Sequence, residues 1–247
     1  MNAIETMRLT KRFSGRTAVD GLDLAIAEGE FFALLGQNGA GKTTTIRMLT
    51  CLLAPSEGDA LIMGESIVHS AETAKAQSNL SPQETAVAQN LTVRENLVLI
   101  ARLYGAEKKQ AEAEAEHIMA EFSLAERAGD KAKTLSGGMQ RRLSIAMALI
   151  TKPKVLFLDE PTLGLDVRAR RELWKMLRAL KGKITVVLTT HYLEEAEALS
   201  DRIGVMHEGK LRALGTAAEL CAETGAANFE DAFLALTGGE GETEAAV

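Results

Sequence analysis

The residues best suited to chemistry lie in GQNGAGKTT, residues 36–44. Gly36, Gly39 and Gly41 let a backbone turn through φ > 0 and approach a ligand closely. The N–H groups they free, with those of Gln37, Asn38 and Ala40, then point inward at the start of a helix, where the dipole favours an anion. Lys42 can reach β- and γ-phosphates as a point charge, the Thr43 hydroxyl can sit on Mg²⁺, and Thr44 opens the helix. The plainer reading is a flexible glycine loop. Against it stands the context: an apolar run, FFALL at 31–35, precedes the motif, and a helix-like stretch, 44–53, follows it. Strand, glycine loop and helix in that order are what a phosphate-binding loop requires, so the motif implies nucleotide binding.

Further candidates sit at strand ends. PKVLFL (153–158) reads as a buried parallel strand and runs into Asp159 and Glu160. Carboxylates at the C-terminal end of such a strand face the crevice in which α/β sheets bind ligands. Asp159 suits a Mg²⁺ contact, direct or through water. Glu160 is aimed differently and can polarise an attacking water; a pair of carboxylates in a surface turn is the bland alternative. ITVVL (184–188) is another buried strand and leads through Thr189 and Thr190 to His191. That histidine is either a satisfied structural residue or a γ-phosphate contact. Gln83, after a short strand stopped by Pro82, carries an amide that could ligate a metal through oxygen or orient a water. Phe13, in the polar setting LTKRFSG, is either a partly buried strand residue or a face on which an adenine ring stacks. Ser136 precedes an apolar-periodic helix (Met139, Leu143, Ala146, Met147, Ile150) and is a natural N-cap. The free N–H groups there make a second anion site, and one nucleotide rarely needs two on one chain. That hints at two molecules sharing one nucleotide.

These residues need elements to position them. Residues 4–19 alternate loosely and suggest short antiparallel strands with turns near 14–15 and 28–29. Residues 59–63 read as another strand, whereas 64–74 carry little signal. From 92 to 128 the composition turns helical, with Thr92 as N-cap and Glu95 closing a capping box. Residues 106–122, rich in Ala and Glu, read as a solvated helix, and 167–180 as a charged amphipathic one. A hairpin around His207, Glu208 and Gly209 precedes short helices at 216–222 and 228–236. The acidic tail from 238 is expected to be disordered.

Composition bounds the answer. The 247 residues, 46% hydrophobic and 25% charged, suit a globular protein with a sizeable core. A net charge of −6 argues against sequence-independent duplex binding, which needs a basic face. Cys51 and Cys221 have no metal-ligand spacing and read as buried thiols in a reducing compartment. No apolar run approaches the ~20 residues that cross a bilayer, and the first residues lack a signal-type apolar core. The expectation is a cytoplasmic protein whose membrane role, if any, runs through a partner.

Together, GQNGAGKTT, LSGGMQ (135–140), VLFLDE (155–160), GLD (164–166) and THYLEEAEALSDRI (190–203) resemble the markers of an ABC-type ATPase over residues 7–236. The resemblance implies an α/β P-loop NTPase fold with a mostly parallel core sheet, a small antiparallel β subdomain and a helical insert. The ATPase domain would span 1–237, with a helical subdomain at about 88–150 and an acidic tail at 238–247. It implies ATP and Mg²⁺ as cofactors, with Thr43, Gln83 and Asp159 around the metal. At matched positions Phe13 becomes the adenine-stacking aromatic and Gln83 the link from Mg²⁺ to a transporter interface. Glu160 becomes the catalytic base, His191 the switch histidine, and Asp166 a residue that communicates across a dimer. Ser136 and Gly138, with Gly137 between them, would reach the γ-phosphate of nucleotide held by the other protomer.

NLTVRENL, THYLEEAEALSDRI and NFEDAFLALTG narrow the resemblance to ATP-binding subunits of bacterial drug, antibiotic and polysaccharide exporters. In these the membrane part is a separate chain. A homodimer or heterodimer docked on an integral membrane permease at the cytoplasmic face of the membrane is implied, and no nucleic acid. The alternative is a soluble ABC ATPase acting on ribosomes, DNA or cluster assembly; one compact cassette and an acidic balance favour the exporter. Gln37 and Val167 stand where proline is common, Phe13 where tyrosine is frequent, and 77–81 is more polar than the pattern.

Overall fold

The chain opens with two antiparallel strands, β1 (Asn2–Phe13) and β2 (Arg16–Ala27), which turn at Ser14 and Gly15. Each is 12 residues long, not short as the loose alternation suggests. Register shifts along the pair break the period-two pattern without ending the ladder. β3 (Phe31–Leu35) follows, then the glycine loop and α1 (Lys42–Leu49). β4 (Glu57–Ile62) and β5 (Glu65–Ser66) return to the first sheet, whose order is β2-β1-β4-β5. α2 (Ala71–Ala76) leads to β6 (Ser78–Ser81). The stretch with little sequence signal thus holds a strand and a helix, both too short to display a period.

Between β6 and the next strand the chain is helical: α3 (Val93–Leu103), α4 (Lys108–Glu121) and α5 (Gly137–Leu149), with two short 3₁₀ turns before α5. The expected capping box of α3 is present, the Thr92 hydroxyl accepting from Glu95 N–H and the Glu95 carboxylate from Thr92 N–H. β7 (Val155–Asp159), α6 (Val167–Arg178), β8 (Thr185–Thr190), α7 (Leu193–Leu199), the hairpin of β9 (Arg202–His207) and β10 (Lys210–Gly215), α8 (Ala217–Thr224) and α9 (Phe229–Thr237) complete it. The computed structural model describes residues 1–238, so the tail expected to be disordered lies almost wholly outside the described residues.

The second sheet, β10-β9-β3-β8-β7-β6, is parallel except at its β10 edge, as the apolar runs imply. Its central strands are buried on both faces, which is why they read as unbroken apolar runs. Phe32, Leu34, Phe157 and Val187 point to a core shared with the antiparallel sheet and with Ile46, Met48 and Leu49 of α1. Phe31, Ala33, Leu35, Leu156, Leu158 and Leu188 point to the other face, under the remaining helices. α1 is therefore wedged between the two sheets, and the glycine loop that starts it is held from both. Cys51 and Cys221 are half-buried, not buried as composition suggests.

Asn96 on α3 is wholly buried and holds the segment before the helix. Its Oδ1 accepts from Ala88 N–H (2.8 Å), and its Nδ2 donates to Ala88 O (3.1 Å) and Thr92 O (2.9 Å). Asn96→Ala would leave those backbone groups unpaired, so it should cost about 1–3 kcal/mol. A urea melt should show a lower midpoint at unchanged slope.

Candidate nucleotide site

β3 delivers the chain into the glycine loop level with the end of β8, where Gly36 N–H donates to Thr190 O at 3.2 Å. A Cβ on Gly36 would stand 2.4 Å from Met206 O, and one on Gly41, at φ +106°, 2.4 Å from Ala18 O. Only glycine fits either position. The β9–β10 turn braces the loop from outside: Gly209 N–H donates to Ala40 O (3.0 Å), and Gly209 O accepts from Asp20 N–H (2.9 Å). Both sheets thus grip the loop through one glycine. Inside it, Lys42 Nζ donates to Gly36 O (2.7 Å) and Gln37 O (3.2 Å) and lies 3.2 Å from Glu160 Oε1.

The carboxylates come from the neighbouring strand ends, with Asp159 of β7 opposite Thr189 of β8. Thr189 Oγ1 donates to Asp159 Oδ1 (2.5 Å) and accepts from Glu160 N–H (3.1 Å). Thr43 Oγ1 donates to the same Asp159 oxygen at 3.1 Å. Glu160 has φ +48°, a left-handed conformation uncommon for a residue with a side chain. Its Oε2 lies 2.7 Å from His191 Nδ1, so the carboxylate is clasped between Lys42 and His191. Lys42, Asp159 and Glu160 are 5%, 4% and 5% exposed. Charges so buried persist only when paired, and removing one strands the other.

Glu160 and His191 line a cleft of about 470 Å³, together with Phe13, Arg16, residues 38–44, Gln83 and Leu163, a size suited to a small organic ligand; Asp159 and Thr189 do not line it. Phe13, at the end of β1, is 48% exposed and lines the cleft, with Lys11 Nζ 5.4 Å from its ring centroid. It is therefore not held in the core as a packing residue. Thr43 and Gln83 line the cleft, and Asp159 is tied to it through the Thr43 hydroxyl; their oxygens are of the type a small divalent cation takes when substrate phosphates complete its shell. Among the described residues no group of three or more His, Cys, Asp or Glu side chains could hold a metal unaided.

Other candidates lie apart. Gln37 borders a neighbouring recess with Asn38, His207 and Glu208. Ser136, Gly137, Gly138 and Asp166 do not line the cleft. Ser136 caps α5, its hydroxyl accepting from Met139 N–H (3.3 Å), and Asp166 caps α6, accepting from Ala169 N–H (2.8 Å).

Three contributors escaped the sequence reading. Thr189, which aligns both carboxylates, was marked only by a hydroxyl at the end of a buried strand. Arg16 Nη2 donates to Gly39 O (2.9 Å), a contact created by folding the start of β2 over the loop. Arg141 on α5 is buried and donates to Pro82 O (2.6 Å) and to Gln83 O. Burial lowers its pKa from the ordinary arginine value.

Residues 19–163 match a family model described as ABC transporter. The chain belongs to the ABC transporter family. It is an ATP-binding ATPase. This ABC ATPase is 46% identical over 216 residues to a daunorubicin resistance ATP-binding protein of Streptomyces coeruleorubidus, covering 87% of this chain and 68% of the relative. It is 44% identical over 222 residues to a Nod factor export ATP-binding protein of Paraburkholderia xenovorans, covering 89% and 73%. A solved structure of the ATP-binding subunit of an ABC transporter superposes with a TM-score of 0.84 at 29% identity, over 95% of this chain and 99% of the other.

The ABC ATPase should depend on Thr189 although that hydroxyl lies beneath the cleft surface. A hydrogen bond to a charged group contributes about 1.5–3 kcal/mol. Thr189→Val should accordingly lower kcat by roughly ten- to a hundredfold with ATP binding largely retained, as steady-state assays and nucleotide titration can measure.

Proposed function

We propose that this ABC ATPase hydrolyses Mg-ATP as a dimer and energises export of a substrate through a separate permease. The observation that carries the hydrolytic reading is the clasp of Glu160 between Lys42 and His191 at the head of the cleft. ATP phosphates lie on the loop N–H groups and Lys42, and Phe13 stacks on the base. When the γ-phosphate draws Lys42 towards itself, Glu160 is freed to accept the proton of the water that attacks phosphorus. His191, hydrogen-bonded to Glu160, stays within reach of the γ-phosphate and holds the base in place. Mg²⁺, held by Thr43, Asp159 and Gln83, would neutralise charge on the β- and γ-phosphates.

Ser136, Gly137, Gly138 and Asp166, lying off their own chain's cleft, are assigned to nucleotide held by a second copy. The α5 N-terminus supplies free N–H groups for that phosphate. The ATPase domain is read as 1–237, with the helices of about 88–150 as its mobile subdomain. Export follows the relatives, which serve daunorubicin resistance, Nod factor export and, in Bacillus subtilis, linearmycin resistance. No described helix is long and apolar enough to cross a membrane, and the membrane path is assigned to the permease. For that partner α3 leaves Leu99 and Leu103 exposed as an apolar stripe, with Tyr104 exposed just past its end, which would hold the protein at the cytoplasmic face.

Glu160→Gln should lower turnover by about 10²–10⁴-fold while ATP still binds. Because hydrolysis would no longer separate the protomers, Mg-ATP should then trap a dimer in sedimentation. Near wild-type turnover would remove Glu160 as the base. The shared site has its own test. ATPase activity must rise faster than linearly with protein concentration in the dilute range, and constant specific activity down to monomeric concentrations would exclude it. Leu103→Glu should leave basal ATPase activity intact and abolish co-purification with the permease; retained co-purification would exclude the α3 stripe.

A further inference from the structure

Behind the clasp lies a carboxyl that the hydrolytic chemistry does not use. Glu195, in the first turn of α7, is 0% exposed, a place where glutamate is almost never found unpaired. Trp174 Nε1 of α6 donates to its Oε1 at 3.1 Å. Its Oε2 makes no hydrogen bond, and neither does the equally buried Thr162 Oγ1. The hydroxyls of Thr162 and Thr190 both face this carboxyl. No ion pair reaches it among the described residues.

The charged groups around it leave it no cation. Glu160 faces it with the same sign. Arg141 of α5 feels it from a distance but is committed to Pro82 O and Gln83 O. Arg170 of α6 lies over the rings of Trp174 and Tyr192, 5.7 and 5.9 Å from their centroids, and reaches outward to Glu194 at 3.8 Å. On α7 itself Glu194 and Glu197 are exposed. An ionised Glu195 would thus have the Glu160 carboxylate near it and no cation, only the neutral donors Trp174 N–H and the two threonine hydroxyls. A neutral acid carries its own O–H and can satisfy Oε2 and a threonine hydroxyl at once. Burial pushes its pKa up from the ordinary glutamate value, in the same sense.

The chain position of those threonines gives the arrangement its use. Thr162 is two residues past Glu160, and Thr190 immediately precedes His191. We propose that Glu195 is a positioning residue for ATP hydrolysis, its buried carboxyl clamping the loop that follows Glu160 to the strand end that carries His191. The 2.7 Å contact between His191 and Glu160 is set by the relative position of those two segments.

The clamp works as the neutral acid, so glutamine, which keeps a donor and an acceptor at the same place, should replace it. Glu195→Gln should keep kcat within about twofold of wild type. Glu195→Ala and Thr162→Val should each lower kcat by about three- to tenfold, the worth of a neutral hydrogen bond, with little change in KM for ATP. The double variant should be no slower than the slower single one, because both remove the same link.

The charge state has a separate readout in unfolding. The folded pKa is raised, so the stability this carboxyl contributes is fully present below the unfolded value, about 4.3, and is lost as pH rises through the folded value. Glu195→Gln has no such loss. From about pH 5 upward the wild type should therefore lose stability relative to Glu195→Gln, the ratio of unfolding constants widening by up to about tenfold per pH unit. Urea melts at pH 5, 6, 7 and 8 measure it. Parallel curves for the two proteins, a kcat loss in Glu195→Gln equal to that of Glu195→Ala, wild-type kcat in Glu195→Ala, or additive losses in the double variant would each overturn the proposal. If Glu195→Ala fails to fold, Glu195→Gln and Thr162→Val carry the test alone.

Discussion

The site depends on a buried ion pair that the fold has to keep in register. Lys42 and Glu160 sit 3.2 Å apart and almost out of water, where an unpaired charge would cost several kcal/mol. Lys42 comes from the start of α1, and Glu160 from the end of β7. Their meeting requires that the glycine loop fold back on itself, that β7 and β8 pair in one register, and that Glu160 accept a left-handed backbone. Thr189 links these requirements by bonding to Asp159 and to the backbone of Glu160. A shift of β8 by one residue would turn that hydroxyl to the other face of the sheet.

The loop is braced on every side, which suits a site that must present backbone N–H groups in fixed directions. Gly36 packs against Met206 O, Gly41 against Ala18 O, and Gly209 joins Ala40 to Asp20. The antiparallel sheet is thus a wall of the nucleotide site as well as a second layer of the core. Phe13 and Arg16 flank its β1–β2 turn and open onto the same cleft.

The helical segment is attached differently. Its main polar tie to the cleft is Arg141, whose guanidinium carries the backbone of Pro82 and Gln83 on the second turn of α5. Displacing Gln83 therefore pulls on the same helix whose N-terminus bears Ser136. A buried guanidinium with two carbonyl partners gives that link direction as well as strength. It is a direct physical link between the Gln83 segment and α5.

Much of this protein was legible in one dimension. The glycine spacing of 36–44, the unbroken apolar runs of β3, β7 and β8, the capping box of α3 and the serine cap of α5 are local patterns, and short-range sterics and burial produce them directly. Strand ends bearing Asp159, Glu160 and His191 were visible for the same reason, since a buried run must stop where polar groups begin. β5 and α2 were not, because elements of two and six residues have no period to read. The length of β1 and β2 was hidden by bulges that shift the pattern without ending the pairing. Only the tertiary structure could decide that Thr189 aligns two carboxylates, that Arg16 reaches Gly39, that Arg141 carries Gln83 and that Glu195 is sealed behind the clasp. Those contacts join residues 21 to 59 positions apart. They follow from sheet register and helix packing, which a linear pattern of residue types constrains without specifying.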